Sequence, residues 1–205
     1  MSMDANIRAV QAKLGVTVDG NPGPQTWDAI YRQIVGAGPM TTGTTGTTGT
    51  ATLADERSER NIATLLPQVQ PLARALIENA AAIGICIKAF SGTRSYDEQN
   101  ALYEQGRSQP GRIVTNARGG YSNHNFGIAF DIGVFEGGRY LDESPAYKAV
   151  GALGMKLGLE WGGNWKTIQD EPHFQLRPAW AREMSERDML AELRMRKEKR
   201  VTLFA

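Results

Sequence analysis

The sequence predicts an α+β domain, a small mixed or antiparallel sheet packed by helices, preceded by a small all-α module. Three observations carry that expectation. Residues 53–205 alternate irregularly between apolar runs of helical period and short runs of period two. Residues 1–36 hold only two helical patterns around a turn. Between them, residues 37–52 contain Thr41 to Thr50, TTGTTGTTGT, a composition that buries nothing and leaves a chain flexible.

In the N-terminal piece Ile7, Val10, Gln11 and Leu14 recur at helical spacing and Gly15 stops the run. Val16 to Gly23 is a turn-rich loop, and Pro24 opens a second helix through Trp27, Ile30, Tyr31 and Ile34. In the larger piece Leu72, Ala73, Leu76, Ile77 and Ala80 give one apolar face to a helix over 71–82, ended by Gly84. Residues 85–90 read as a strand, with Cys86 as a buried, inert thiol. Ser95 and Glu98 form a capping box, which starts a helix over 96–105. Ser144-Pro145 opens another helix through Tyr147, Val150, Leu153 and Leu157. A last helix starts near Pro178 and ends in the basic stretch 194–200, RMRKEKR, a solvated helix end or a weak contact for anionic envelope surfaces.

Composition narrows the function. The chain has 205 residues, 41% hydrophobic and 22% charged, the balance of an ordinary globular protein. A net charge of +1 gives no reason to expect nucleic acid as partner. With Cys86 the only cysteine, no internal disulfide can form. The first residues have neither the basic start nor the apolar core of a signal peptide, and no apolar run reaches the ~20 residues that span a bilayer. The expectation is synthesis in a cytoplasm and a monomeric chain.

The chemistry gathers around two histidines. In the run Ser122 to Asp131, a strand over 128–134 turns Ile128, Phe130 and Ile132 to a core and Gly127, Ala129 and Asp131 to the other face. Small residues ending in a carboxylate leave room above them, and Gly127 lets the chain turn so that His124 approaches Asp131. In the run Asp170 to Leu176, Phe174 and Leu176 alternate with His173 and Gln175, again a half-buried strand. Two histidines and one aspartate with an open fourth position form the layout of a catalytic zinc site, and mixed nitrogen and oxygen donors suit Zn²⁺ better than Mg²⁺ or Ca²⁺.

Two resemblances follow. VQAKLGVTVDGNPGPQTWDAI is similar to the peptidoglycan-binding modules found beside cell-wall hydrolases, which implies a wall-binding role for Asp19, Gly20, Gly23 and Trp27. The family's usual third helix is missing from this copy. Ser122 to Asp131 matches every fixed position of the pattern Ser-x-His-x-x-Gly-x-Ala-x-Asp, and Asp170 stands three residues before His173. Together they resemble the zinc peptidases that include vancomycin-resistance D-Ala-D-Ala peptidases and phage endolysins cutting between L-Ala and D-Glu. The resemblance runs from Gly92 to Phe174 and implies a Hedgehog/D-Ala-D-Ala peptidase-like fold. It also implies His124, Asp131 and His173 as ligands of one Zn²⁺, and Asp170 as general base. Glu171 competes for that role, but neighbouring strand side chains point opposite ways and Asp170 is favoured. Arg94 would stabilise the oxyanion, unless it pairs with Asp97 or Glu98. Gln99 would bind substrate, and Ser122 would bind substrate or orient a metal ligand. Trp161 and Trp165 read as wall or core, with Trp161 assigned as the substrate contact.

The expected activity is a peptidoglycan endopeptidase of endolysin type, cutting L-Ala-D-Glu and released to the wall by a holin. Two alternatives stand beside it. One is a D,D-carboxypeptidase or D-Ala-D-Ala dipeptidase on the same site. The other is a non-catalytic wall-binding or phage structural protein. A muramidase is disfavoured because no pair of acidic residues stands out in a glycosidase context.

Overall fold

The computed structural model describes residues 3–20, Thr26 and 54–204. The chain divides into two compact units, Met1–Gly49 and Thr50–Ala205. The expected second helix with Gly23 and Trp27, and the Thr/Gly stretch, lie outside the described residues apart from Thr26.

In the first unit α1 spans Met3–Leu14 and ends where Gly15 takes a positive φ. Gln11 is buried and ties the following loop to the helix. Its Nε2 donates to Asp19 Oδ1 at 2.7 Å and to Thr26 Oγ1 at 3.0 Å, and its Oε1 accepts from Gly20 N at 2.9 Å. Arg8 donates to the carbonyls of Val18 and Asp19. The Asp-Gly signature therefore closes a loop on a buried amide.

In the second unit α2 (Glu56–Ala63) begins at Asp55, whose side chain accepts from Ser58 N at 2.8 Å. The next helix, α3 (Gln70–Ala82), buries Ala73, Leu76, Ile77 and Ala80, the face its apolar spacing predicts. Strand β1 (Cys86–Ser91) turns Ile87 and Ala89 into the core and leaves Cys86 exposed. This corrects the expected buried thiol: in a strand of period two, Ile87 takes the core face and its neighbour must take the other. The capping box of Ser95 and Glu98 is present at the start of α4 (Tyr96–Glu104).

The remaining elements are β2 (Ala129–Glu136), β3 (Arg139–Leu141), α5 (Ala146–Lys156), β4 (Glu160–Trp161), β5 (His173–Gln175) and α6 (Glu186–Glu198). The strand order is β1-β2-β5-β4, with β3 also on β2, and every pairing is antiparallel. Of the two sheet types expected, the mixed one is therefore not realised. The final helix also starts later than expected. Residues Ala179–Ala181 form a short 3-10 turn, and Ser185 caps α6 by accepting from Asp188 N.

One core lies between the sheet and α2, α3 and α5, built on Ile62, Val69, Leu76, Tyr147, Phe130, Ile132 and Phe174. Phe130 and Phe174 are cross-strand partners and stack with centroids 5.8 Å apart. Burying each such ring contributes about 1.5–3 kcal/mol. A second cluster packs Met189, Leu190 and Leu193 of α6 against Phe126 and Ile128. With Phe130 and Ile132 committed to the core, Asp131 is turned to the opposite face of β2.

Candidate metal centre

Three backbone devices bring the site together. Asp131 and His173 are directly paired residues of β2 and β5, so their side chains rise from the same sheet face. His124 sits in a 3-10 turn, Asn123–Phe126, that ends at Gly127 with φ 69°. A Cβ at Gly127 would also press on Thr93 and Leu66, so glycine is required there twice over. At the end of β1 the register slips between Ala89 and Ser91, which sets Ser91 opposite Asp131.

Asp131 Oδ1 lies 3.1 Å from His124 Nε2 and 3.1 Å from His173 Nδ1, and the two nitrogens are 3.3 Å apart. Their protons are assigned by what they face. His124 Nδ1 is 2.8 Å from the carbonyl of Gly92, which can only accept, so Nδ1 carries hydrogen. His173 Nε2 is 3.0 Å from Gln175 Oε1, again an acceptor. In the neutral rings the lone pairs of His124 Nε2 and His173 Nδ1 then face each other and a carboxylate oxygen and bring no hydrogen of their own, while Arg94 Nη2 makes a long 3.4 Å contact with His124 Nε2. A cation satisfies that donor set. A triangle of this size leaves a point about 2 Å from every corner, the length of a zinc–nitrogen or zinc–oxygen bond. The residues present therefore fit a metal ion.

Without a cation the same cluster draws protons in its place. Burial pushes the Asp131 carboxyl up, but the charges and hydrogen bonds of His124 and His173 outweigh it and hold the group well below the usual carboxylate range. Burial pushes His173 down, while Asp131, Gln175 and Asp170 together raise it. Burial and the charge of Asp131 push the half-buried Asp170 carboxyl up against the opposing influence of His173, His124 and Arg94. Asp170 thus shares the field of the centre. Its turn is held by Asp170 N donating to Gly162 O and His173 N donating to Asp170 O, both at 3.1 Å.

Arg94 does not pair with Asp97 or Glu98. Its Nη2 donates to Asp131 Oδ2 at 2.6 Å, Nε and Nη2 donate to Ser91 Oγ, and Nη1 donates to Gln99 Oε1 at 3.2 Å. This leaves one Nη1 hydrogen for another oxygen. Gln99 is fully buried and its Nε2 donates to the Ala117 carbonyl and Thr115 hydroxyl. The expected substrate contact at Gln99 is corrected accordingly: the amide is spent on orienting Arg94. Trp161 is corrected too. It is 8% exposed, and its Nε1 donates to the Glu171 carbonyl at 2.8 Å, which places it in the wall behind the Asp170 turn. The aromatic at the open side is Trp165, 37% exposed, with its ring centroid 4.9 Å from that of His173. Ser122 precedes the 3-10 turn, and its hydroxyl makes no hydrogen bond among the described residues.

Several supporting residues escape the sequence reading. Gln175 and Asn123 lie behind His173, and Asn125 donates to the Arg94 and Ser95 carbonyls. From α6, Lys197 Nζ donates to the Asn125 carbonyl at 2.9 Å and lies over Tyr96, while Arg194 donates to the Gly120 carbonyl and lies over Tyr121. Arg196 pairs with Glu192 and lies over Trp180. Arg194 and Arg196 are thus half-buried and engaged, while Lys197, Lys199 and Arg200 remain exposed and carry what is solvated or envelope-facing in the stretch. The one available signal was for Gln175, a polar residue two positions from His173 and hence on the same strand face.

Two imidazoles and a carboxylate converging on one point, with a second carboxylate in their field, define a metal-dependent hydrolase centre. Comparison with known proteins agrees. A family model described as D-alanyl-D-alanine carboxypeptidase matches residues 115–176. The chain is 38% identical over 126 residues to the peptidoglycan L-alanyl-D-glutamate endopeptidase CwlK of Bacillus subtilis, covering 56% of this chain and 74% of that one. It is 31% identical over 123 residues to an L-alanyl-D-glutamate peptidase of a Listeria phage, covering 58% of this chain and 40% of that one. The crystal structure of Serratia marcescens L-Ala D-Glu endopeptidase ChiX aligns with a TM-score of 0.48 and 26% identity, over 60% of this chain and 87% of that one. The chain belongs to the D-alanyl-D-alanine carboxypeptidase family of metallopeptidases.

Proposed function

We propose that this chain is a zinc-dependent peptidoglycan endopeptidase that hydrolyses the L-Ala-D-Glu amide of the stem peptide. The observation that carries the reading is the triangle of His124 Nε2, His173 Nδ1 and Asp131 Oδ1, with Asp170 on the adjoining turn. The choice of bond rests on likeness to two L-alanyl-D-glutamate peptidases. The phage relative also supports an endolysin role with synthesis in a host cytoplasm; release to the wall by a holin is part of the proposal.

Zn²⁺ held by these three residues supplies an acidified water and a Lewis acid for the scissile carbonyl. Asp170 takes the proton of the attacking water and returns it to the leaving amine. A carboxyl whose affinity for protons is raised by burial suits that exchange. Arg94 fixes Asp131 through Oδ2, which leaves Oδ1 for the metal, and its remaining Nη1 hydrogen is available to the substrate carbonyl oxygen. Trp165 forms an apolar wall beside His173 against which a peptide can lie. Ser122 has a hydroxyl available to substrate. In the N-terminal unit, the loop closed by Gln11 on Asp19 and Gly20 supports a wall-binding module that raises the local concentration of substrate.

Digestion of purified muropeptides tests the bond. A new D-Glu amino terminus is the expected product. Release of D-Ala instead would establish the carboxypeptidase or dipeptidase reading, which the description of the matching family model favours. Absence of both products from zinc-loaded protein would leave a wall-binding or structural role, against which the intact donor set and Asp170 weigh.

A further inference from the structure

We propose that Gln175 is a positioning residue that locks His173 in the tautomer whose Nδ1 faces the metal. The proposal rests on the zinc reading of the site and adds a residue that the metal-binding motif does not contain.

The two histidines use different ring nitrogens. His124 offers Nε2 and ties Nδ1 to a backbone carbonyl, whose position the fold determines. His173 offers Nδ1, so its orientation depends on what Nε2 meets, and Nε2 meets a side-chain amide. An amide can turn either its oxygen or its nitrogen to the ring. Only the oxygen forces hydrogen onto Nε2 and frees the Nδ1 lone pair.

A chain of contacts decides which way that amide turns. Gln175 Nε2 donates to Glu160 Oε2 at 2.6 Å, and a carboxylate accepts only. Glu160 is held across the sheet by its pairing register with Gln175 and by an ion pair with Arg177. Arg177 in turn binds Glu186 at 2.7 Å. On the other side Asn123 Nδ2 donates to Gln175 Oε1 at 2.5 Å and also reaches Glu186 Oε1. Reversing the Gln175 amide would set its nitrogen against the Asn123 nitrogen and its oxygen against the Glu160 carboxylate. Asn123 and Glu160 therefore both oppose the wrong orientation, and His173 follows.

The arrangement is not the cheapest one for stability. Asn123 Oδ1 is buried and has no hydrogen-bond partner among the described residues. An unsatisfied buried acceptor costs free energy. It follows from turning the Asn123 nitrogen toward Gln175 and Glu186. The polar chain Glu186–Arg177–Glu160–Gln175, with Asn123, thus runs from α6 through β4 and β5 to the back of the metal ligand.

The test uses zinc affinity and the imidazole signals of the full chain. His124 and His173 are its only histidines, so ¹⁵N-histidine labelling reports this centre alone. In the zinc-loaded wild type, His173 should be metallated at Nδ1 with a hydrogen-bonded Nε2–H, and His124 metallated at Nε2. Gln175→Leu should lower zinc affinity by about 10–100-fold in competition with a chromophoric chelator, the usual loss for an outer partner of a metal-bound histidine. Its folding is to be checked by circular dichroism. Wild-type zinc affinity in a folded Gln175→Leu protein would overturn the proposal and leave the zinc reading intact. Coordination of His173 through Nε2 would overturn it without any variant. Failure of the wild type to bind zinc would overturn both.

Discussion

Asp131 Oδ1 lies equally far, at 3.1 Å, from His124 Nε2 and His173 Nδ1, while its second oxygen is claimed by Arg94 at 2.6 Å. One carboxylate thus divides its two oxygens between a metal position and a guanidinium. An amide cannot do both, because one of its two ends is a donor. Asp131→Asn is therefore expected to lose zinc by more than the ~10–100-fold that removal of an outer partner costs. Peptidase activity should fall to background at sub-saturating zinc. Chelator competition and metal analysis of the purified variant check this, and retention of stoichiometric, tightly held zinc would refute the assignment of Asp131.

Asp170 and Glu171 are neighbours with opposite duties. The Asp170 carboxyl shares the field of Asp131, His124, His173 and Arg94, whereas Glu171 is used through its backbone carbonyl, which accepts from Trp161. Asp170→Asn should bind zinc normally and lose about 10²–10⁴-fold in kcat, the span of a general acid–base group. Glu171→Gln should change kcat little, since the carbonyl remains. Steady-state kinetics on a defined muropeptide, with zinc content measured alongside, separates the two. Equal losses in both variants would remove Asp170 from the role of base.

The candidate metal ligands were legible because short-range rules place them. Period two puts Asp131 away from Phe130 and Ile132, and a glycine at 127 permits the turn after His124, whereas Asp170 was reached only through the family resemblance. What stayed hidden depends on contacts between distant segments. Gln99 is polar and lies on a helix, so its own neighbourhood suggests solvent, yet Arg94 and the carbonyl of Ala117 surround it. Trp161 occupies a slot that exists because Gly151 and Gly163 carry no side chain. Cys86 lies in an apolar run, and only the register of β1 on β2 decides which of its residues face the core. The basic residues of α6 looked like a charged surface until Lys197 and Arg194 met the carbonyls of the histidine-bearing loop.

Acid stability should carry a signature of Asp55. Its hydrogen bond with Lys88, then that with Ser58 N, lower its pKa to about 2 against the smaller opposing effect of burial. The unfolded carboxyl titrates near roughly 4. A folded pKa below the unfolded one contributes stability that is present above about pH 4 and is lost as pH falls toward about 2. Both side chains are over a third exposed, so the contribution is screened and salt should reduce it. Asp55→Asn keeps an N-cap and removes the charge. Denaturant melts from pH 5 to pH 2 should show a shallower loss of stability in the variant, and parallel curves would rule out this ion pair as a source of the acid dependence.

The two tryptophans of the LEWGGNW segment should separate binding from folding. Trp161 is buried behind the Asp170 turn, and Trp161→Ala should cost about 3–5 kcal/mol of stability, the usual range for emptying a large aromatic site. Trp165 stands exposed beside His173 and contributes little to the core, so Trp165→Ala should leave stability within about 0.5 kcal/mol. An aromatic wall that holds substrate and transition state alike is felt in KM, and losing a contact worth ~0.5–1.5 kcal/mol raises KM by roughly 2–10-fold at unchanged kcat. Melting curves and Michaelis–Menten kinetics on the same preparations check both halves. A fall in kcat with unchanged KM in Trp165→Ala would mean that the ring steadies His173 and does not contact the peptide.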